Sequence, residues 1–251
     1  MTTLTATPDI ATASVLLSIT KTASVARIER TDINGVHEVR VPAYTLPSYG
    51  TGILHITDYE AAHGINTYRV YHTGSTSVAV RAAILGLPQP WVFVATLPEL
   101  SVTVPQITTY QSSRSSSTIL HKVIDRREPV VNMGKLGLRE GQLDIWCPDY
   151  LSTRELDTAI DSGEILMLRQ TVPGLDMWFT VSDIDVQPVS EEGALTQYRY
   201  SVRFQEVSRP SGSLKGARGW TYEELANSFA TYDEVTAAYA TYGDLLINKE
   251  S

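Results

Sequence analysis

The chain has 251 residues, 43% of them hydrophobic, and a formal net charge of −8, enough to bury a core and build one or two domains without covalent staples. A single cysteine, Cys147, excludes an internal disulfide and any paired-cysteine zinc or redox motif, so a reducing cytoplasm is the expected folding compartment. Residues 1–98 carry six basic and six acidic side chains, residues 99–206 ten and sixteen, and residues 207–251 four and six, and this acidic middle argues against nucleic acid, whose binding draws on cations meeting phosphates.

The stretch up to Val25 has no basic leader, and its apolar run Val15 to Ile19 is too short for a signal segment or a membrane span. Neither export nor membrane insertion is expected. From Val25, "VARIERTDINGVHEVRV" places two alternating runs around Asp32-Ile33-Asn34-Gly35 and predicts a β-hairpin. "TGILHITDYEA" and "NTYRVYHTGSTSVAVRAAIL" continue the alternation, with Gly64 and Gly74 in turns. These runs predict a small all-β sandwich, and the strand sequence with Tyr68-Arg69-Val70 resembles a fibronectin type III module. "LGLPQPWVF" breaks the pattern with two prolines, which suit central strands poorly, and the expected boundary of this first domain, 1–98, lies there.

The segment "TTYQSSRSSSTI" is expected to be a polar, serine-rich loop, with strands resuming at Ile119 and Arg126-Arg127 in a solvated turn. "EGQLDIWCP" reads as extended. "STRELDTAIDSGE" then predicts a short amphipathic helix: Ser152 to Glu155 fit a capping box, Leu156 and Ile160 lie one turn apart, and Gly163 stops it. "ILMLRQT", "DMWFTVSDIDVQPV" and "LTQYRYSVRFQEVS" follow as strands, the last with Tyr198, Tyr200, Val202 and Phe204 on one face. Residues 99–208 are therefore expected to form an α+β domain, a sheet with one helix laid on it. The linker "RPSGSLKGARG" opens the final region, 209–251.

That region repeats itself every ten residues: Thr221-Tyr222-Glu223-Glu224, Thr231-Tyr232-Asp233-Glu234 and Thr241-Tyr242-Gly243-Asp244. Each threonine precedes an acid by three positions, so each repeat predicts the start of a short helix. Helices this short are barely stable alone in water and need a surface to lie on. Either Tyr222, Leu225, Tyr232, Val235, Tyr239 and Tyr242 dock on the chain's own domains, or Tyr222, Tyr232, Tyr239 and Tyr242 anchor the tail to a neighbouring subunit.

Catalytic signatures are absent: no glycine-rich phosphate loop, no G-x-S-x-G and no H-E-x-x-H. His55, His63 and His72 cluster in sequence, but their spacing does not set all three on one face, so packing or surface roles are expected rather than zinc. Asp58-Tyr59-Glu60 and Asp183-Ile184-Asp185 each place two acids on one side of a strand, a geometry open to calcium or acid–base work but expected on a solvated face. Cys147, beside Trp146 and Pro148, reads as a small buried side chain. No cofactor or metal and no enzymatic activity are expected.

At "REGQLDIWC … SGEILMLRQ … YSVRFQEVSRP" and at "GWTYEELANSFATYDEVTAAYATYGDLL" the sequence resembles minor tail proteins of long-tailed bacteriophages (siphoviruses) that infect actinobacteria. Residues 137–210 are similar to the β-rich domain of distal tail (Dit-like) and tail-tube-derived proteins. The resemblance implies a virion structural protein, assembled in the host cytoplasm, that forms a homo-oligomeric ring, a hexamer by analogy, at the tail tip. It implies as partners the tail tube protein, the tail hub and other minor tail proteins. In many distal tail proteins the ring-forming domain comes first, whereas here the sandwich precedes it. Two other readings compete: a recognition module that binds host-surface sugar through Tyr44, Tyr49 or Trp91, and, more weakly, an enzyme acting on cell-wall polymer, which needs an acid/base pair.

Overall fold

The computed structural model describes residues 2–43, 45–74, 78–122, 124–189, 196–215 and 229–238. It is mainly β. The first part contains β1 (Thr3–Asp9), β2 (Ser14–Lys21), β3 (Val25–Asp32), β4 (Gly35–Glu38), β5 (Gly52–Asp58), β6 (Gly64–His72) and β7 (Val78–Leu85). They form a three-stranded sheet, β1-β2-β5, and a four-stranded sheet, β4-β3-β6-β7, with antiparallel neighbours throughout. The hairpin predicted at Asp32 to Gly35 is present: Asp32 pairs with Gly35 across a two-residue turn, and Gly35 takes φ +117°, where a Cβ would be strained. Alternate residues point inward from both sheets. Val15, Leu17 and Ile19 of β2 meet Ile28, Tyr68, Val70 and Leu85 of the other sheet in one core.

The second part contains β8 (Trp91–Val94), β9 (Val102–Thr103), β10 (Gln106–Ser113), β11 (Ile119–His121), β12 (Val130–Asn132), β13 (Glu140–Cys147), α1 (Tyr150–Asp161), β14 (Leu166–Arg169), β15 (Met177–Val189) and β16 (Gln197–Val207). Seven of these strands make one antiparallel sheet in the order β10-β13-β16-β15-β14-β8-β9. Strand β8, ahead of residue 98, thus pairs into the larger sheet. The apolar alternation of β16 holds: Tyr200, Val202 and Phe204 are buried under α1 with Leu143, Ile145, Leu156 and Ala159. Strands β8 and β14 are apolar or buried at every position because both of their faces are covered. Val92, Val94, Leu166 and Leu168 face the helix side, while Phe93 and Met167 pack with Tyr59 and Leu214 on the opposite side.

Helix α1 begins earlier than the capping box predicts. Asp149 is the N-cap and accepts from the Ser152 N–H at 2.8 Å, so Ser152 lies in the first turn instead of at the cap. A carboxylate at the N-cap also complements the helix dipole, and the earlier start leaves Tyr150 and Leu151 exposed on the first turn. The segment expected as a serine-rich loop is partly a strand: "TTYQSS" belongs to β10, where Ile107 and Tyr110 pack against the core while its polar residues face water. An edge strand needs only one apolar face, so its polarity disguises it.

One ion pair, Arg209 with Glu60, and arginine bonds to main-chain oxygens join the two parts, beside a cluster of buried ion pairs within the first. Arg30 is buried, with Nε 2.5 Å from Asp32 and Nη1 2.9 and 2.8 Å from the two oxygens of Asp58, which also accepts from the Tyr68 hydroxyl at 3.0 Å. Burial pulls the Arg30 pKa down, but Asp58 and Asp32 outweigh it and hold the group firmly cationic. Burial next to Asp58 likewise drives the Tyr68 hydroxyl far above its ordinary value. Glu60 accepts from Arg40 at 2.6 Å and from Arg209 at 2.8 Å. Arg40 also donates to the main-chain oxygens of Pro210 and Gly212, gripping the chain as it leaves the large sheet. Arg169, at the end of β14, reaches through to the carbonyls of Tyr59 and Ala13; burial lowers its pKa to about 10.

The solvated face expected for Asp58 and Glu60 is therefore corrected: both are buried. Their partners, Arg30, Arg40 and Arg209, lie 20 to 149 positions away in sequence.

Candidate assembly surface

Strands β10 and β13 run on beyond the large sheet as one projecting hairpin arm. After Ser113 pairs with Glu140, the ladder continues through Gly137 N–H to Ser115 O and the Ser116–Leu136 bridge. It then enters the β11–β12 pairs Ile119–Asn132, Leu120–Val131 and His121–Val130, and among the described residues these two strands pair only with one another. Between the Ser113–Glu140 and His121–Val130 pairs the shorter strand has eight residues, so the paired arm reaches ~26 Å past the sheet at ~3.3 Å per residue.

The glycines of the returning strand fit this arm closely. A Cβ at Gly141 would meet Gln111 O at 1.9 Å, and one at Gly134 would meet Ser117 Oγ at 2.2 Å. Side chains at either position would push the two strands apart.

The arm is apolar where a free hairpin should be polar. Ile119, Leu120, Val130 and Val131 are exposed, as are Ile124 at 91% and Met133 at 80%. Adjacent residues of a strand point to opposite faces, so Ile119 with Leu120, and Val130 with Val131, leave both faces of the arm bare. A lone two-stranded hairpin is marginal in water at best, and exposed contiguous apolar surface marks a contact site. The arm is also basic: residues 114–138 carry five basic and two acidic side chains. Arg126 and Arg127 lie exposed in the turn region, as their sequence reading expects. The signal missed in the sequence is the pair of short apolar runs, "TIL" and "VV", on either side of Asp125 to Pro129.

Two further features belong to this surface. The outer edge of β10 has no paired strand among the described residues, and its eight residues, "QITTYQSS", carry no charge to blunt it. At the other end of β13, where α1 begins, Tyr150 and Leu151 are exposed, and the Tyr150 ring lies 6.4 Å from that of Tyr198. Val186, across the ladder from Tyr200, is exposed near them. The helix that starts at this end and runs ~18 Å from it is acidic: residues 149–161 carry four acidic side chains and one basic.

The tyrosine candidates are only partly placed. Tyr232 opens α2 (Tyr232–Ala238) and is 77% exposed, whereas Val235 of the same helix is buried. The expected capping box is formed there: Glu234 N–H donates to Thr231 Oγ1 at 3.4 Å, and Glu234 Oε2 accepts from Ala230 N–H at 2.8 Å. Tyr222, Tyr239 and Tyr242 lie outside the described residues, as does Leu225.

Other candidates are dispersed. His55 Nδ1 lies 3.0 Å from Ser18 Oγ, His63 accepts from Leu87 N–H, and His72 is buried at the end of β6. Asp183 and Asp185 are exposed on β15, Asp183 3.5 Å from Arg203. Cys147 is buried, and burial raises its thiol pKa. Of the proposed sugar-binding aromatics, Trp91 is only 3% exposed because its face of β8 packs into the first core, which corrects its expected exposure; Tyr49 is exposed, and Tyr44 lies outside the described residues. A hollow of ≈ 530 Å³ is lined by Ile33, Ile65, Val172 and Pro173, but its ionisable groups are engaged: Asp32 by Arg30, His63 by Leu87, and Asp176 by Asn34 and Gln170. Among the described residues no helix is long and apolar enough to cross a membrane.

No protein-family model matches this chain, and a search of curated proteins found none significantly similar to it.

Proposed function

We propose that this chain is a structural part that assembles with copies of itself, and that it serves as a ring component at the tip of a bacteriophage tail, joining the tail tube to the distal hub. The observation that carries self-assembly is the projecting arm, whose apolar side chains are exposed on both faces. The strand orders β1-β2-β5 and β4-β3-β6-β7 favour a fibronectin type III-like sandwich for the first part, and the helix-backed antiparallel sheet suits a distal-tail-like second part. The place in the tail rests on the resemblance of the sequence motifs.

Rigid connection of the two parts fits a load-bearing role, since the Arg209–Glu60 pair, the arginine bonds to main-chain oxygens and packed apolar faces favour one orientation. Sedimentation velocity of the purified full chain across a wide concentration range tests the reading. A discrete assembly of several copies is expected. A species of single-chain mass at every concentration, alone and with tail tube protein added, would remove the self-assembly reading.

A further inference from the structure

We propose that the arm of one copy docks across the α1 end of the large sheet of a second copy; this rests on the self-assembly reading above and names the two surfaces it uses. The surfaces match in character. The arm offers Leu120 and Val131 with Arg126 and Arg127 nearby, and the α1 end offers Tyr150 and Leu151 with Asp149 and Glu155. Charge is complementary: five basic against two acidic side chains over 114–138, four acidic against one basic over 149–161. Opposite charge around an apolar centre favours correct encounter and disfavours arm meeting arm.

Geometry makes this contact intermolecular and directional. The arm leaves β13 at Glu140, whereas α1 follows its other end at Cys147. Eight residues of β13 span ~26 Å, so the arm and its acceptor lie at opposite poles of one sheet. An arm projecting ~26 Å is long enough to cover the pole of a neighbour. Because donor and acceptor are different patches of the same chain, the contact is heterologous: each copy gives one arm and receives another. Such contacts close as a reciprocal two-fold pair or as a larger ring when the rotation allows, and otherwise run on as a filament.

The experiment is a charge swap in the full chain. One variant carries Arg126→Glu and Arg127→Glu, the other Glu155→Lys and Asp161→Lys; all four positions are exposed, and circular dichroism checks the fold. Each variant alone should self-associate about tenfold more weakly than the original chain, and an equimolar mixture should recover association, because each then finds its complement. Failure of the mixture to recover, or variants that assemble as the original does, overturns this contact while self-assembly stands. An original chain that stays single overturns both. A Leu120→Cys, Leu151→Cys double variant gives a reading independent of charge: mild oxidation should produce a ladder of linked copies, with buried Cys147 silent, and a single-chain band alone counts against the docking.

Discussion

Asp58 and Glu60 are charged and buried, while Ile119, Leu120 and Val131 are apolar and exposed. In the charged cluster beside the joint, Asp32, Asp58 and Glu60 each have a guanidinium within 3 Å. On the arm no side chain of the fold covers the apolar surface among the described residues. The contrast separates what the chain satisfies by itself from what it leaves for a partner. Buried charge is tolerable only when paired within the same molecule, so the charged cluster is finished on folding. Exposed apolar surface costs the monomer little in stability but remains available, and its burial would release ~1.5–3 kcal/mol for each large side chain fully covered.

The comparison breaks most visibly in the charged cluster. Asp58→Ala should leave Arg30 with Asp32 as its one carboxylate partner and the Tyr68 hydroxyl without its acceptor, costing about 3 kcal/mol in urea unfolding, the low end of the range for removing one partner of a buried pair. Leu120→Ser on the arm should change the unfolding free energy of the monomer by less than about 0.5 kcal/mol while weakening assembly. Equal stability losses from the two substitutions would erase the distinction. Next in size, Gly141→Ala forces a Cβ against Gln111 O at the root of the arm, and about 1–3 kcal/mol of stability should be lost. Hydrogen exchange checks where: protection should fall first in β10 and β13.

A pH dependence sharpens the role of the large sheet. Burial raises the Asp144 carboxyl, but bonds from Gln142, Arg199 and Ser201 overcome this and lower its pKa from 3.8 to about 2. A pKa lower in the folded state means stability that is fully present above pH ~4 and lost as pH falls through ~2, at most about 2 kcal/mol. Asp144→Asn should flatten that part of the acid-unfolding curve, and an unchanged slope would show that other carboxylates govern it. The smallest effect is expected at the tail: Tyr232→Ala should leave thermal stability within about 0.5 kcal/mol, because the ring is mostly exposed. A larger loss would place that ring in the chain's own core.

Local chemistry carried much of the fold in plain text. The hairpin at Asp32 to Gly35, the alternation of β16, the stop of α1 near Gly163 and the Thr231–Glu234 cap each depend on residues within a few positions of one another. Periodicity and capping are short-range rules, and a single chain displays them. The start of α1 slipped because two local signals, Asp149 and Ser152, compete for the same cap, and the carboxylate prevailed.

The assembly surface was less legible. "TTYQSS" and "RSSSTIL" look like loop because polar residues on an edge strand and a projecting arm satisfy water, not a core. The apolar pairs Ile119–Leu120 and Val130–Val131 read as ordinary strand until the topology shows nothing above or below them.

By itself the sequence determined most of the strands, the presence of the helix after Cys147 and the main turns, since these follow from neighbours along the chain. Only the tertiary structure decided that Asp58 and Glu60 are buried against arginines far away, that Trp91 faces a core, and that the arm and the α1 end lie at opposite poles. Burial and pairing between distant residues depend on how sheets stack in space, and that arrangement has no signature in any short stretch of residues.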